Sequence, residues 1–186
     1  MFLFSLIDRS LIPTILRVGH VYGRGISSVE EFKTMIARGV FSLPGSAEHL
    51  IPPIHIDDLV IAMAMVAESN KAAGKIYNIN DDHPISLKEF CDQLATYMGK
   101  PKVDTLPVWL FKSAALLFET ISFFTKRRPF FDRDTVKLMT MAHWGDNSKI
   151  KEELGWKPDY KSFYDGVGSC FDDPPAYNLR ALSMMP

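Results

Sequence analysis

The chain has 186 residues, of which 47% are hydrophobic, and a formal net charge of −1. That length and composition suffice for the core of one ordinary domain, and the near-neutral charge gives no electrostatic basis for binding nucleic acid or an anionic membrane surface. The two cysteines, Cys91 and Cys170, match no metal-ligand spacing, so a reducing cytoplasmic environment is favoured over a single disulfide.

The opening residues, MFLFSLIDRS, do not have the features of a signal peptide. Their apolar run has no basic residue before it and no small-residue cleavage site after it. Residues 5–10 are instead predicted to form the end of a helix.

The elements predicted for the first half of the chain alternate between strand and helix. They are, in chain order, a strand over Thr14–Val18, a helix over Val29–Arg38, an extended piece at 41–43, an edge strand or extended loop at 50–56, a helix through LVIAMAMVAES, a strand over Lys75–Asn80 and a helix from residue 86 to residue 98. We expect Asp57 or Asp58 to cap the second helix, whose mostly apolar sequence predicts near-complete burial. Ser86 and Glu89 have the spacing of a capping box at the start of the third helix.

The second half is less regular, and its most hydrophobic segment is residues 106–125. The predicted elements are a strand at 103–106, helices at 106–125, 132–141, 147–154 and 162–171, and a poorly ordered tail at 172–186. Lys112 and Glu119 interrupt the apolar segment, so an amphipathic helix that covers a core or a substrate pocket is favoured over a membrane span. A contact with the membrane surface is the alternative, because Lys126, Arg127 and Arg128 follow directly. The alternation of strands and helices predicts an α/β fold.

The stretch TILRVGHVYGRG, residues 14–25, is the most informative part of the sequence. An apolar strand leads into a loop with three glycines, as a parallel strand does when it delivers a ligand-facing loop at its carboxyl end. The order G-x-x-x-G-x-G fits neither the dinucleotide fingerprint nor the Walker loop, and Gly19 and Gly23 are explained equally well by a sharp turn. His20 lies where open α/β sheets place ligands, although a lone histidine is more often a structural donor.

No self-sufficient catalytic or metal site is recognised in the sequence. There is no G-x-S-x-G, no H-E-x-x-H and no tyrosine followed four residues later by lysine. The carboxylate pairs Asp57–Asp58 and Asp81–Asp82 are explained by a helix cap and a turn, and His55 beside the first pair by a strand-to-helix junction. We therefore predict no catalytic residue and no metal ligand in this chain.

Four segments in order resemble the C-terminal half of the extended short-chain dehydrogenase/reductase family, the NAD-dependent epimerases and dehydratases. They are ILRVGHVYGRG, IHIDDLVIAMAMVAE, GKIYNINDDHPISLKEF and WGDNSKIKEELGWKP, and the resemblance covers about residues 10–168. The stretch LPVWLFKSAALLFETISFFTKRRPFFDRDTVKLMT is more similar to the 3β-hydroxysteroid dehydrogenase-like branch than to the sugar-nucleotide epimerases.

The resemblance implies the C-terminal part of a Rossmann-like parallel sheet together with a small, mostly helical substrate-binding domain. Residues 1–85 would be the remnant of the Rossmann-like domain, with late strands at about 14–18 and 75–80 and an inserted substrate-side segment at 26–54. Residues 86–171 would form the substrate-binding domain.

The resemblance also implies a binding site for NAD or NADP and a small-molecule substrate. Val18, Gly19 and His20 would face the nicotinamide, and His20, Tyr22, Arg24 and Trp109 would face the substrate. His20 stands where many relatives have asparagine, and Val18 where relatives commonly have proline. Aromatic residues such as Trp109 favour an apolar, sterol-like alcohol over a nucleotide sugar, although core packing explains them equally well.

The family's glycine-rich loop and its Tyr-x-x-x-Lys pair do not occur in this sequence. In such enzymes the tyrosine acts as acid and base and the lysine lowers the tyrosine's pKa. The resemblance therefore implies that the chain is inactive alone and needs a partner, either an N-terminal half or a second copy. The alternative is a non-catalytic binding or scaffold module that retains the fold.

Overall fold

The computed structural model describes residues 12–39, 41–125, 133–142 and 145–172. The strands in these ranges are β1 (Ile15–Val18), β2 (His20–Tyr22), β3 (Ser42–Pro44), β4 (Leu50–Ile51), β5 (Pro53–His55), β6 (Ile76–Ile79), β7 (Ile85–Ser86) and β8 (Asp104–Leu106). The helices are α1 (Ser27–Ala37), α2 (Ile56–Glu68), α3 (Leu87–Tyr97), α4 (Val108–Thr125), α5 (Arg133–Leu138), α6 (Ser148–Leu154) and α7 (Phe163–Gly166), with 3₁₀ turns at Asn70–Ala72 and Val167–Phe171.

The strands of the described residues pair two by two. Strand β1 pairs with β6, β2 with β5 and β3 with β8, all parallel, whereas β4 and β7 are antiparallel. Parallel pairing requires long crossovers, which the helices between these strands provide. The predicted α/β fold is therefore confirmed.

The chain changes its strand partner at Gly19. Before it, Val18 lies opposite Ile79 of β6, and the Gly19 N–H donates to the Ile79 carbonyl at 2.9 Å. After it, the His20 N–H donates to the Pro52 carbonyl at 2.6 Å and β2 continues alongside β5. The loop predicted from the glycine pattern is thus a short break between two strand pairs, and it opens space on both of its sides.

Two hydrophobic clusters form the core of the described part of the chain. One lies beneath α2 and α6 and contains Ile54, Leu59, Ala62, Ala72, Tyr77, Ile79, Ile150 and Trp156. The other joins α1, α3 and α7 and contains Tyr22, Val29, Ile36, Leu43, Phe90, Leu94, Phe163 and Val167 among its members. Each cluster combines residues from before and after position 85. The domain boundaries inferred from the resemblance remain a prediction.

The start of α2 differs from the prediction. The cap is His55, whose Nδ1 accepts a hydrogen bond from the Asp57 N–H at 3.2 Å, and not Asp57 or Asp58. The prediction of near-complete burial is also wrong, because Val60, Ile61 and Met63 on the outer face are exposed.

Helix α4 does not seal a core as expected. Among its described side chains only Ala115 is buried, while Trp109, Leu116 and Leu117 are exposed. No helix within the described ranges is both long enough and apolar enough to cross a membrane.

Local signals located several helix ends correctly. The Ser86–Glu89 capping box is present at the start of α3, and Gly155 follows α6 in the left-handed region. The final predicted helix is instead one turn of α-helix followed by a 3₁₀ turn. The predicted helix end at 5–10, the basic residues 126–128 and the tail from 173 lie outside the described residues.

Candidate functional site

A polar cavity of about 300 Å³ opens on one side of the Gly19 break. It is lined by Arg17, Val18, Gly19, Pro52, Asn78, Asn80, Gly145 and Asp146. Arg17 and Asn78 lie opposite each other on β1 and β6, so their side chains share one face of the sheet. The cavity therefore combines a cation, two amides and a carboxylate at the carboxyl ends of two parallel strands, which is the usual ligand position in open α/β sheets.

Hydrogen bonds hold the outer wall of this cavity against β6. The Asn78 side-chain amide donates to the Asp146 carbonyl at 2.9 Å, and the Asn147 amide donates to the Asn80 carbonyl at 2.7 Å. The Cβ that any other residue would carry at Gly145 would lie 3.1 Å from Asn78, so the loop passes very close to the strand. The polar cavity is thus held in shape by contacts that do not involve a ligand.

An apolar cavity of about 280 Å³ opens on the other side of the break. It is lined by Val18, Gly19, His20, Phe32, His49, Ile51, Pro52, Leu87 and Met139. Helices α1 and α3 contribute Phe32 and Leu87, and Met139 follows α5. This lining suits a hydrophobic ligand with few polar groups.

The two cavities share one wall, formed by Val18, Gly19 and Pro52. A Cβ at position 19 would lie 2.3 Å from the Pro52 carbonyl oxygen, so only glycine allows the two segments to approach this closely. The thin wall places a ligand in one cavity next to a ligand in the other.

His20 lines the apolar cavity, and one of its two ring nitrogens has no partner in the part of the chain that the structure describes. Its buried Nε2 has no hydrogen-bond partner among the described residues, and the ring packs edge-on against Phe90 with centroids 5.1 Å apart. Desolvation lowers the pKa of His20. A neutral imidazole can either donate a hydrogen bond to a ligand oxygen or accept one from a hydroxyl.

The other residues predicted to face substrate do not line either cavity. Tyr22 is fully buried, and its hydroxyl donates to Asp81 Oδ2 at 2.9 Å and lies 3.2 Å from the Ser162 carbonyl oxygen. Arg24 is half-buried in the turn after β2, and Trp109 is exposed on α4. The structure therefore brings together Val18, Gly19 and His20 but not these three.

Several cavity residues were missed from the sequence. Asn78 and Asn80 alternate with the apolar residues Tyr77 and Ile79 in KIYNIN, which is a recognisable signal for one face of a strand. Phe32 and Met139 carry no such signal, because only the tertiary fold brings α1 and the α5 end together. Among the described residues no group of three or more His, Cys, Asp or Glu side chains could hold a metal ion.

Several known proteins are similar to this chain over most of its length. It is 30% identical over 163 residues to short-chain dehydrogenase/reductase family 42E member 1 of Homo sapiens, covering 81% of this chain and 42% of that protein. It is 28% identical to a 3-diazoavenalumate denitrifying reductase of a Streptomyces species and to a UDP-glucose 4-epimerase of Vibrio cholerae, covering 85% and 81% of this chain. No family model matches the chain.

Solved structures show the same fold. The human epimerase family protein SDR39U1 with NADPH superimposes with a TM-score of 0.64 at 17% identity, covering 82% of this chain and 45% of that one. A dTDP-glucose 4,6-dehydratase of Bacillus anthracis in complex with NAD gives a TM-score of 0.54 at 19% identity, covering 82% and 41%. The fold is therefore Rossmann-like, and the chain spans about half the length of the proteins that it matches.

Proposed function

The chain belongs to the extended short-chain dehydrogenase/reductase family, and we propose that it forms the C-terminal, substrate-facing half of an NAD(P)-dependent oxidoreductase or epimerase. The substrate class that we propose is an apolar molecule with a hydroxyl or carbonyl group. The observation that carries this proposal is the pair of cavities, one polar and one apolar, that meet at Val18, Gly19 and Pro52.

The polar cavity is the proposed site for the nicotinamide end of the cofactor. A carboxamide and ribose hydroxyls need both donors and acceptors, which the side chains of Asn78 and Asn80 provide. The Arg17 guanidinium is suited to a phosphate oxygen. When bound, the nicotinamide supplies or accepts a hydride. The volume of about 300 Å³ suits this part of the cofactor rather than the whole dinucleotide.

The apolar cavity is the proposed substrate site. Phe32, Ile51 and Leu87 would cover hydrocarbon, and His20 would hydrogen-bond the single oxygen of the substrate. The buried Nε2 of His20, which has no hydrogen-bond partner among the described residues, gains most from a ligand that satisfies it, because an unsatisfied buried polar group costs free energy. We assign His20 a positioning role. In this family the acid and base is the tyrosine of the Tyr-x-x-x-Lys pair, and this sequence does not contain that pair.

The proposed chemistry is therefore shared with another segment of polypeptide. The glycine-rich loop and the Tyr-x-x-x-Lys pair would come from an N-terminal half, and we propose that the chain alone binds ligands without turning them over. The alternative is a non-catalytic binding module that retains the fold, for which we expect no binding of a nicotinamide compound in the polar cavity.

Titration of the chain with 2-decalone, a bicyclic ketone, followed by NMR tests the substrate site. We expect His20→Phe to weaken binding about 2- to 12-fold, because the ring is kept but one hydrogen bond of about 0.5–1.5 kcal/mol is lost. His83→Phe is the matched control, since His83 is exposed and lines neither cavity. Equal affinities for the two variants, or no binding to the parent chain, would contradict the proposed site.

A further inference from the structure

The loop before β4 holds a backbone conformation that costs free energy. Ala47 has a φ of 52°, and among the described residues it is the one non-glycine residue in the left-handed region. Its side chain is buried in the hydrophobic cluster that joins α1, α3 and α7, so turning this residue outward would expose apolar surface. Strain of this kind persists only where the surrounding contacts enforce it, and it is common at binding sites.

The start of α3 supplies those contacts. The first N–H groups of a helix have no partner inside the helix. Here the Lys88 N–H donates to the Ala47 carbonyl at 2.9 Å, and the Leu87 N–H donates to the His49 carbonyl at 3.2 Å. Directly after His49, β4 begins and pairs with β7. The backbone of His49 is therefore fixed from both sides.

His49 and His20 are the two lining residues of the apolar cavity whose side chains contain nitrogen. The other described residues of the lining have no nitrogen or oxygen atom in their side chains. The Nε2 atom of each imidazole is buried. His20 follows Gly19, which belongs to the wall shared with the polar cavity, whereas His49 belongs to the loop before β4. The cavity therefore has two hydrogen-bonding side chains that come from different parts of its lining.

The start of α3 does not itself offer donors to a ligand in the cavity. The loop carbonyls accept the N–H groups of Leu87 and Lys88. The Glu89 N–H donates to Ser86 Oγ at 3.1 Å. An anion bound at a helix N-terminus needs such N–H groups, so this helix start is not suited to a phosphate or carboxylate of the substrate. The hydrogen-bonding side chain on this part of the lining is that of His49.

We propose that His49 determines which substrates the apolar cavity accepts, by donating a hydrogen bond to a second oxygen of the substrate. This role rests on the proposed function, in which His20 contacts the first oxygen beside the nicotinamide. The substrate class is then a hydrocarbon framework with two separated oxygen atoms. An imidazole N–H donates equally well to a carbonyl or a hydroxyl oxygen. The fixed backbone of His49 reduces the entropy that is lost when this hydrogen bond forms.

NMR titration of the whole chain with two ligands that share one carbon skeleton tests the proposal. 2-Decalone has one carbonyl group, and decalin-2,6-dione has a second one on the other ring. We expect His49→Phe to lower the affinity for the dione about 2- to 12-fold, because one hydrogen bond is lost while an aromatic ring remains. Its affinity for 2-decalone should stay unchanged.

His83→Phe is the matched control, since His83 is exposed and lines neither cavity, and it should leave both affinities unchanged. Far-ultraviolet circular dichroism checks that both variants fold. A second measurement needs no variant: in the parent chain, the imidazole nitrogen resonances of His49 should move further with the dione than with 2-decalone.

Three results would overturn the proposal. They are an equal loss of affinity for both ligands in a folded His49→Phe variant, as a purely structural role would give, no loss for either ligand, or equal shifts of the His49 resonances with the two ligands. Failure of the proposed function looks different, because the parent would then not bind 2-decalone or His20→Phe would not weaken that binding.

Discussion

Asp81 is the residue on which we expect the pH dependence of stability to depend most. It is fully buried, its Oδ2 accepts the Tyr22 hydroxyl at 2.9 Å and its Oδ1 accepts the His55 N–H at 3.3 Å. Burial raises the pKa of Asp81 to about 7, and these two hydrogen bonds only partly oppose the shift. The folded chain therefore keeps a proton on Asp81 that the unfolded chain has already lost.

The sign of the effect follows from the two proton affinities. Between about pH 4 and pH 7 the Asp81 carboxyl binds more protons in the folded state than in the unfolded state. The stabilisation that this carboxyl contributes is therefore complete below about pH 4 and is lost as the pH rises to about 7. Asp81→Asn removes the titration but keeps an acceptor for Tyr22. We expect the free energy of unfolding of Asp81→Asn, minus that of the parent, to rise by about 1–4 kcal/mol across this range.

Urea denaturation at several pH values measures that difference. His20 and His55, whose pKa values burial lowers, act in the opposite direction, but they are present in both proteins and their effects cancel. Asp104→Asn serves as the control, because Asp104 is exposed. A difference between Asp81→Asn and the parent that does not change with pH would show that Asp81 is already ionised in the fold.

At the scale of elements, Asp58 connects the start of α2 to the loop before α7. Its carboxylate accepts the backbone N–H groups of Asp159 and Tyr160 at 2.9 and 3.0 Å, and its side chain is almost fully buried. Asp58→Ala leaves two donors without their acceptor, and we expect it to lower the free energy of unfolding by about 2–4 kcal/mol.

Asp57→Ala is the matched control for this prediction. Asp57 lies in the same helical turn, but half of its side-chain surface is exposed and its carboxylate is 3.7 Å from the His55 ring. We expect a loss below about 1 kcal/mol, measured by the same urea titration. Losses of equal size would contradict a specific contribution from the two backbone hydrogen bonds that Asp58 accepts.

The comparison of α2, α3 and α4 shows which features can be predicted from sequence. The prediction of the α3 capping box was correct because its two partners, Ser86 and Glu89, lie within four residues of each other. The predicted cap of α2 was wrong because His55 is an uncommon capping residue, and Asp58, one of the two aspartates expected there, instead accepts hydrogen bonds from residues about 100 positions away. The exposed faces of α2 and α4 were missed because apolar composition does not specify which neighbour, if any, covers a helix.

At the scale of the whole molecule, the site is only partly encoded in the glycine-rich stretch. Val18, Gly19 and His20 were predicted to face ligands, and they line the two cavities. The residues that give each cavity its chemistry, such as Asn80 and Phe32, come from distant segments that the two hydrophobic clusters hold in place. The proposed function depends on that assembly rather than on one motif.

In the proposed function, a nicotinamide and an apolar carbonyl compound bind side by side across Val18 and Gly19. This arrangement is tested by interligand nuclear Overhauser effects measured on the chain with both nicotinamide mononucleotide and 2-decalone. We expect cross-peaks between the nicotinamide ring protons and the ketone protons that weaken in His20→Phe, in line with its about 2- to 12-fold lower affinity for the ketone, and that keep their intensity in His83→Phe. Binding of both compounds without any interligand cross-peak in the parent chain would show that the two sites are not adjacent.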